Sequence, residues 1–178
     1  MALTASSQVG ALAALLPDGR LHLQHGPIDI IAKTFGAPRA IRAAHARAAT
    51  RFATVLDELV AELASLRSMA AEVEGPIACR MAAAVAPFHP EFLTPMAAVA
   101  GAVAEEVLAA LTGPGITRAY SNNGGDIALW LAPGESLTCA LAASSDRLTL
   151  HASDRVRGIA TSGWRGRSFS LGIADAVT

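Results

Sequence analysis

Short apolar runs open the chain: QVGALAALL, LHLQ and IDIIAK, separated by PDGR and HGP. Apolar runs of this length, broken by Pro, Asp and Gly, predict two or three strands joined by tight turns. The Ala/Leu richness of the first run also admits a helix. From Pro38 to about Ser68 the period lengthens. Phe52, Val55, Leu56, Leu59, Leu63 and Leu66 recur at three and four residues, the buried stripe of one long helix. Pro38 suits its first turn. Glu74-Gly75-Pro76 breaks the pattern, and a short helix over about 77–85 follows. APFHPEFLTP carries three prolines and predicts an ordered loop. His89 within it reads as a loop residue.

Thr94-Pro95 predicts the start of another helix, with Thr94 as N-cap and Pro95 at the first helical position. It runs through MAAVAGAVAEEVLAAL and stops at Thr112-Gly113-Pro114-Gly115. Ala98, Gly101, Ala102 and Ala104 make it thin, so it is expected to lie flat on a sheet or beside a ligand. Glu105 and Glu106 point about 100° apart on such a helix and do not form a carboxylate pair. The rest is β-rich. ITRAYS, DIALWLA, SLTCALAA and LTLHAS read as strands, and VRGIATSGWRGRSFSLGIADAVT as strand, Gly-rich turn, strand. The expected class is α+β, an antiparallel sheet packed with long helices.

The 178 residues, 52% hydrophobic, suffice for one domain over 1–178. Its halves would be strands plus long helix at 1–90, and helix plus β-rich part at 91–178. The net charge of −1 argues against general affinity for nucleic acid or an anionic membrane surface. Arg39, Arg42, Arg47 and Arg51 precede Asp57, Glu58 and Glu62 on the long helix, against the helix dipole. Either an anion site or a solvated face with some ion pairing fits; the solvated face is preferred. Cys79 and Cys139 lie far apart without zinc-ligand spacing. A reduced, cytoplasmic setting is the default expectation. The apolar start lacks a basic leader segment and is broken by Pro17-Asp18-Gly19, so it reads as strand and turn rather than signal peptide. No run reaches the ~18 apolar residues of a membrane span. So apolar a chain is expected to self-associate into a homo-oligomer.

The sequence has no Walker loop, HExxH, GxGxxG or Ser-His-Asp order. Two polar, Gly-containing strand junctions remain: SNNGGD at 121–126 and ATSGWRGRS at 160–168. Each reads as a hairpin turn. If both face one cleft, their hydroxyls, amides and backbone N–H groups suit a phosphate or a heterocycle edge.

The order of helix MAAVAGAVAEEVLAALTGPGI, strand RAYSNNGGDIAL and later GIATSG resembles the ApbE-type flavin transferases. It is closer to a smaller, poorly characterised family related to ApbE, with NGGDI and a TSG-to-ADAVT ending. The resemblance covers about residues 92–178. It implies an ApbE-like, T-fold-related α+β fold with the ligand between sheet and helices. It also implies FAD or FMN as cofactor, with Mg²⁺, and transfer of FMN to a protein Thr. Carried over by position, the ligand-binding residues are Asn123, Gly124, Gly125 and Asp126 on one strand, Thr161, Ser162 and Gly163 on another, and Gly101 on the flanking helix. This chain departs from ApbE enzymes in four places, the first being that their flavin-contacting N-terminal motif is not recognisable here. Ser168-Phe169-Ser170-Leu171 replaces a His-Ile-Asp-Pro-like segment. No Lys stands near Ala102 or Ala104. ADAVT at 174–178 falls one strand before the metal-binding Asp-Ala-x-x-Thr stretch. A flavin or nucleotidyl transferase is one expectation. A non-catalytic ligand-binding or assembly protein that keeps the fold is the alternative, and an enzyme acting on a pterin is a third.

Overall fold

The computed structural model describes residues 10–70, 72–140 and 147–160. Three N-terminal strands form first: β1 (Leu12–Leu15), β2 (Leu21–His25) and β3 (Ile28–Gly36). Pro17-Asp18-Gly19 turns β1 into β2. Gly19 takes φ 78°, and its N–H donates to the Leu16 carbonyl at 2.9 Å. The first run is therefore strand, not helix. Strands β4 (Ile116–Asn123), β5 (Asp126–Leu131) and β8 (Gly158–Ile159) complete an antiparallel sheet in the order β1-β2-β3-β4-β5-β8. β3 and β4, from the two halves of the chain, pair at its centre. β6 (Ser136–Ala140) and β7 (Arg147–His151) form a separate hairpin.

Between β3 and β4 the chain makes α1 (Pro38–Ala61), α2 (Leu63–Leu66), α3 (Pro76–Val85) and α4 (Val99–Leu111). Alternation along β2 and β3 sends Leu21, Leu23, Ile30 and Ala32 to the helical side, all buried. They meet Ala44, Ala48, Phe52, Val55 and Leu59 of α1 and Ala102, Val103, Val107 and Leu111 of α4. Each large apolar side chain so buried contributes about 1.5–3 kcal/mol. Leu129, Leu131, Leu150 and Ile159 form a smaller core with the β6–β7 hairpin.

The expected helix over 38–68 is interrupted at Glu62, which leaves helical geometry at φ −106°, ψ 12°. Its carboxylate accepts the N–H groups of Glu74 and Gly75 at 2.7 and 2.9 Å, closing the connection into α3. Of the expected stripe, Leu56 and Leu63 are only half-buried. Thr94-Pro95 opens a 3-10 turn (Pro95–Ala98) instead of the α-helix, and the Thr94 side chain makes no cap bond. Arg47 donates to the Ala110 and Thr112 carbonyls at 3.2 and 2.8 Å. It thereby satisfies the C-terminal end of α4, where a cation suits the dipole. Among the described residues no helix is long and apolar enough to cross a membrane.

Candidate functional site

SNNGGD forms the tip of the β4–β5 hairpin. Asn123 lies opposite Asp126 in the ladder, so Gly124 and Gly125 are the two turn residues. Their φ values of 65° and 112° meet the need for positive φ at both central positions of a tight hairpin. The turn is thus Gly-Gly; Asn122 and Asn123 belong to the strand. Asn122 Oδ1 accepts the Gly125 N–H at 2.9 Å. Asn123 Nδ2 donates to the Ala100 carbonyl at 3.1 Å, tying the hairpin to the first turn of α4. A Cβ on either glycine would meet nothing within 4 Å. Backbone conformation, not crowding, is what requires glycine here.

Beyond the turn, Asp126 enters a cleft between α3, α4 and the β5–β8 edge. The cleft holds about 320 Å³ and is lined by Gly101 and Ala102 of α4, Arg80 and Ala84 of α3, Asp126 and Ala128 of β5, and Gly158 of β8, among others. Seven of its twelve lining residues are Ala or Gly, which is why space remains between a helix and a sheet. A Cβ at Gly101 would also find open space. The thin helix therefore does two things: Ala102 and Ala104 pack closely, while Gly101 faces the cleft. Two expected site residues distant in sequence, Gly101 and Asp126, meet here. Asn123 instead borders a second, apolar groove of about 400 Å³ between α1 and the start of α4. Gly124 and Gly125 support the hairpin and do not line the cleft. Thr161, Ser162 and Gly163 lie outside the described residues; Ala160, just before them, lines the cleft.

Among the described residues no group donates a hydrogen bond to the Asp126 carboxylate, and burial pushes its pKa up. Arg80, on another part of the lining, is paired through Nε and Nη1. Its guanidinium meets Glu105 at 3.1 Å and Glu106 at 2.9 Å. Glu106 also meets Arg51 at 2.7 Å, and Arg51 forks onto both oxygens of Glu58 at 2.7 Å. Burial raises the Glu106 pKa, but the bonds from Arg51 and Arg80 outweigh it and leave the group below its ordinary value. Glu58 is lowered chiefly by its bonds from Arg51. The long-helix charges thus fit the preferred solvated face with some ion pairing: Arg39, Arg42 and Asp57 are exposed, while Arg51 pairs with Glu58 and links α1 to α4. Arg80 had no signal in the sequence, since its partners come from other helices. Among the described residues no three His, Cys, Asp or Glu gather to hold a metal ion.

Residues 13–178 match the family described as AbpE bacteria. The chain belongs to that family. It is 38% identical over 109 residues to a UPF0280 protein of Methanothrix thermoacetophila, covering 58% of this chain and 44% of the relative. A UPF0280 protein of Methanococcoides burtonii is 41% identical over 87 residues, covering 47% and 37%. The aligned stretch spans less than half of either relative. No solved structure matches the chain. These matches fit a poorly characterised family of the kind expected, whose relation to ApbE only the family's name suggests, and the α+β class with its antiparallel sheet stands.

Proposed function

We propose that this family member is related to the ApbE proteins and binds a flavin, or another phosphate-bearing heterocycle, in the cleft between α4 and the β5–β8 edge. One observation carries the reading: Gly101 and Asp126, matched separately to the ApbE pattern, line the same cleft. Its Ala and Gly lining offers flat apolar contact to a ring, and Asp126, whose carboxylate no described residue engages, offers an acceptor to a ring N–H or ribose hydroxyl. At about 320 Å³ it is at the small end for ligand sites and suits a ring-sized portion of FAD rather than the whole dinucleotide. Arg80, Glu105 and Asp126 sum to −1 in the lining, and Arg80 is already paired. Phosphates would therefore need other cations. Asp126 supplies one carboxylate for Mg²⁺, which commonly binds one or two carboxylates together with ligand phosphates. Thr161 and Ser162, which follow the cleft-lining Ala160 in sequence, are the proposed phosphate hydrogen-bonding groups. If the protein is catalytic, flavin or nucleotidyl transfer is the chemistry.

The second reading is a non-catalytic ligand-binding or assembly protein. Ala102 and Ala104 stand near where ApbE enzymes carry Lys, and Arg80 and Arg51 hold the nearby carboxylates of α4 in ion pairs. Titration with FAD, with and without Mg²⁺, followed by flavin fluorescence, tests the binding site. Saturable quenching that is lost in Asp126→Ala supports it. A folded protein that quenches neither FAD nor FMN overturns it. Quenching in which added Mg²⁺ changes nothing favours the non-catalytic reading.

A further inference from the structure

We propose that the free edge of β1 is a homodimer seam, where β1 pairs antiparallel with β1 of a second copy. Among the described residues β1 is the edge strand of the six-stranded sheet, and all four of its residues are exposed. Leu12 and Leu15 are 55% and 66% exposed. Edge strands in soluble proteins are normally protected by a charge, a proline, a bulge or a covering segment, or by being very short; β1, four residues long, has only its shortness among the described residues. Residues 10–16, GALAALL, contain no charge and no proline, and β1 pairs with β2 in unbroken register.

The backbone says which groups are free. Leu16 donates to the Arg20 carbonyl at 2.8 Å. In an antiparallel ladder such pairs alternate, so Leu12, Ala14 and Leu16 direct their N–H and C=O groups to β2. Ala11, Ala13 and Leu15 direct theirs outward. The sequence around Ala13 fits its own copy. A two-fold axis through the Ala13 position, perpendicular to the sheet, places Ala13 opposite Ala13 and Ala11 opposite Leu15, using every outward group of these residues. Leu15 then meets the small Ala11 on the helical side, and Leu12 meets Ala14 on the other. A large residue faces a small one at every pair but the central Ala13–Ala13, where two small residues meet, so neither copy must shift to admit the other. That self-complementarity selects a second copy over an unrelated strand.

Sedimentation velocity of the full chain across a range of concentrations tests this, with circular dichroism to confirm folding. The wild type is expected to show a concentration-dependent dimer. Ala13→Pro removes an outward donor and leaves the bonds to β2 intact, a change edge strands accept. It is expected to sediment as a folded monomer, as is Leu15→Lys. If Ala13→Pro fails to fold, Ala13→Cys in a Cys79→Ser, Cys139→Ser background decides. Opposed residues about 5.5 Å apart are within disulfide reach, so mild oxidation should cross-link it. A wild type that stays monomeric throughout overturns the proposal. So does a dimer that survives both Ala13→Pro and Leu15→Lys, or an Ala13→Cys variant that does not cross-link.

Discussion

Replacing Glu106 by Gln tests whether ion pairs among the helices hold the cleft wall. The Glu106 side chain is 14% exposed and bridges Arg51 and Arg80, at 2.7 and 2.9 Å. Gln can accept from one arginine but supplies no charge. Both guanidiniums are part-buried, so each loses a charge-assisted bond worth about 1.5–3 kcal/mol. Arg51 keeps Glu58 and Arg80 keeps Glu105, which offsets part of the loss. A net cost of about 2–3 kcal/mol follows, or roughly 5–10 °C in Tm at this chain length. Glu105→Gln is the control. Its side chain is 60% exposed, and exposed pairs contribute only about 0–1 kcal/mol. Thermal melts at neutral pH and low salt read both variants. Equal, small losses would refute the reasoning, because they would make Glu106 just another surface charge. Ligand affinity should also fall in Glu106→Gln, since Arg80 is a lining residue that Glu106 holds in place.

Further outcomes follow from the same geometry. Glu106 and Glu58 have lowered pKa values in the folded state. Their stabilisation is complete above the unfolded carboxylate pKa of about 4.3 and disappears as pH falls through the folded values; acid melts of wild type and Glu106→Gln should converge there. Asp126 has the opposite sign, because burial raises it. Its charge opposes folding above the unfolded value, so Asp126→Asn should match or exceed wild-type Tm at pH 7 while losing ligand; a clear drop in Tm would make the residue structural. Gly125→Ala should cost about 1–2 kcal/mol, because φ 112° strains any L side chain. Gly101→Ala should leave urea stability unchanged or slightly higher, since its Cβ meets nothing and alanine is the better helix former.

Local chemistry made most elements legible in the sequence. Pro17-Asp18-Gly19 marked the first hairpin, Pro38 the start of α1, and the Phe52–Val55–Leu59 spacing its buried face. Misreadings arose where distant groups decide. Nothing beside Glu62 shows that its carboxylate will hold the backbone of Glu74 and Gly75 and end α1. Thr94-Pro95 has the letters of a helix cap, yet a 3-10 turn precedes α4. The candidate site divides in the same way. SNNGGD announced its turn, and the small residues of α4 announced close packing. That Gly101 and Asp126 share a cleft with Arg80 depends on how α3 and α4 lie over β5, which only tertiary packing sets.

The most direct test of the cleft as a ligand site is to fill it. Gly101→Trp places a bulky side chain where a Cβ meets open space, and Val60→Trp does the same in the apolar groove on the other side of α4. FAD binding is measured for both by isothermal titration, beside wild type. The account predicts that Gly101→Trp stays folded and loses FAD, whereas Val60→Trp binds as wild type does. A Gly101→Trp protein that binds FAD with unchanged affinity would contradict it.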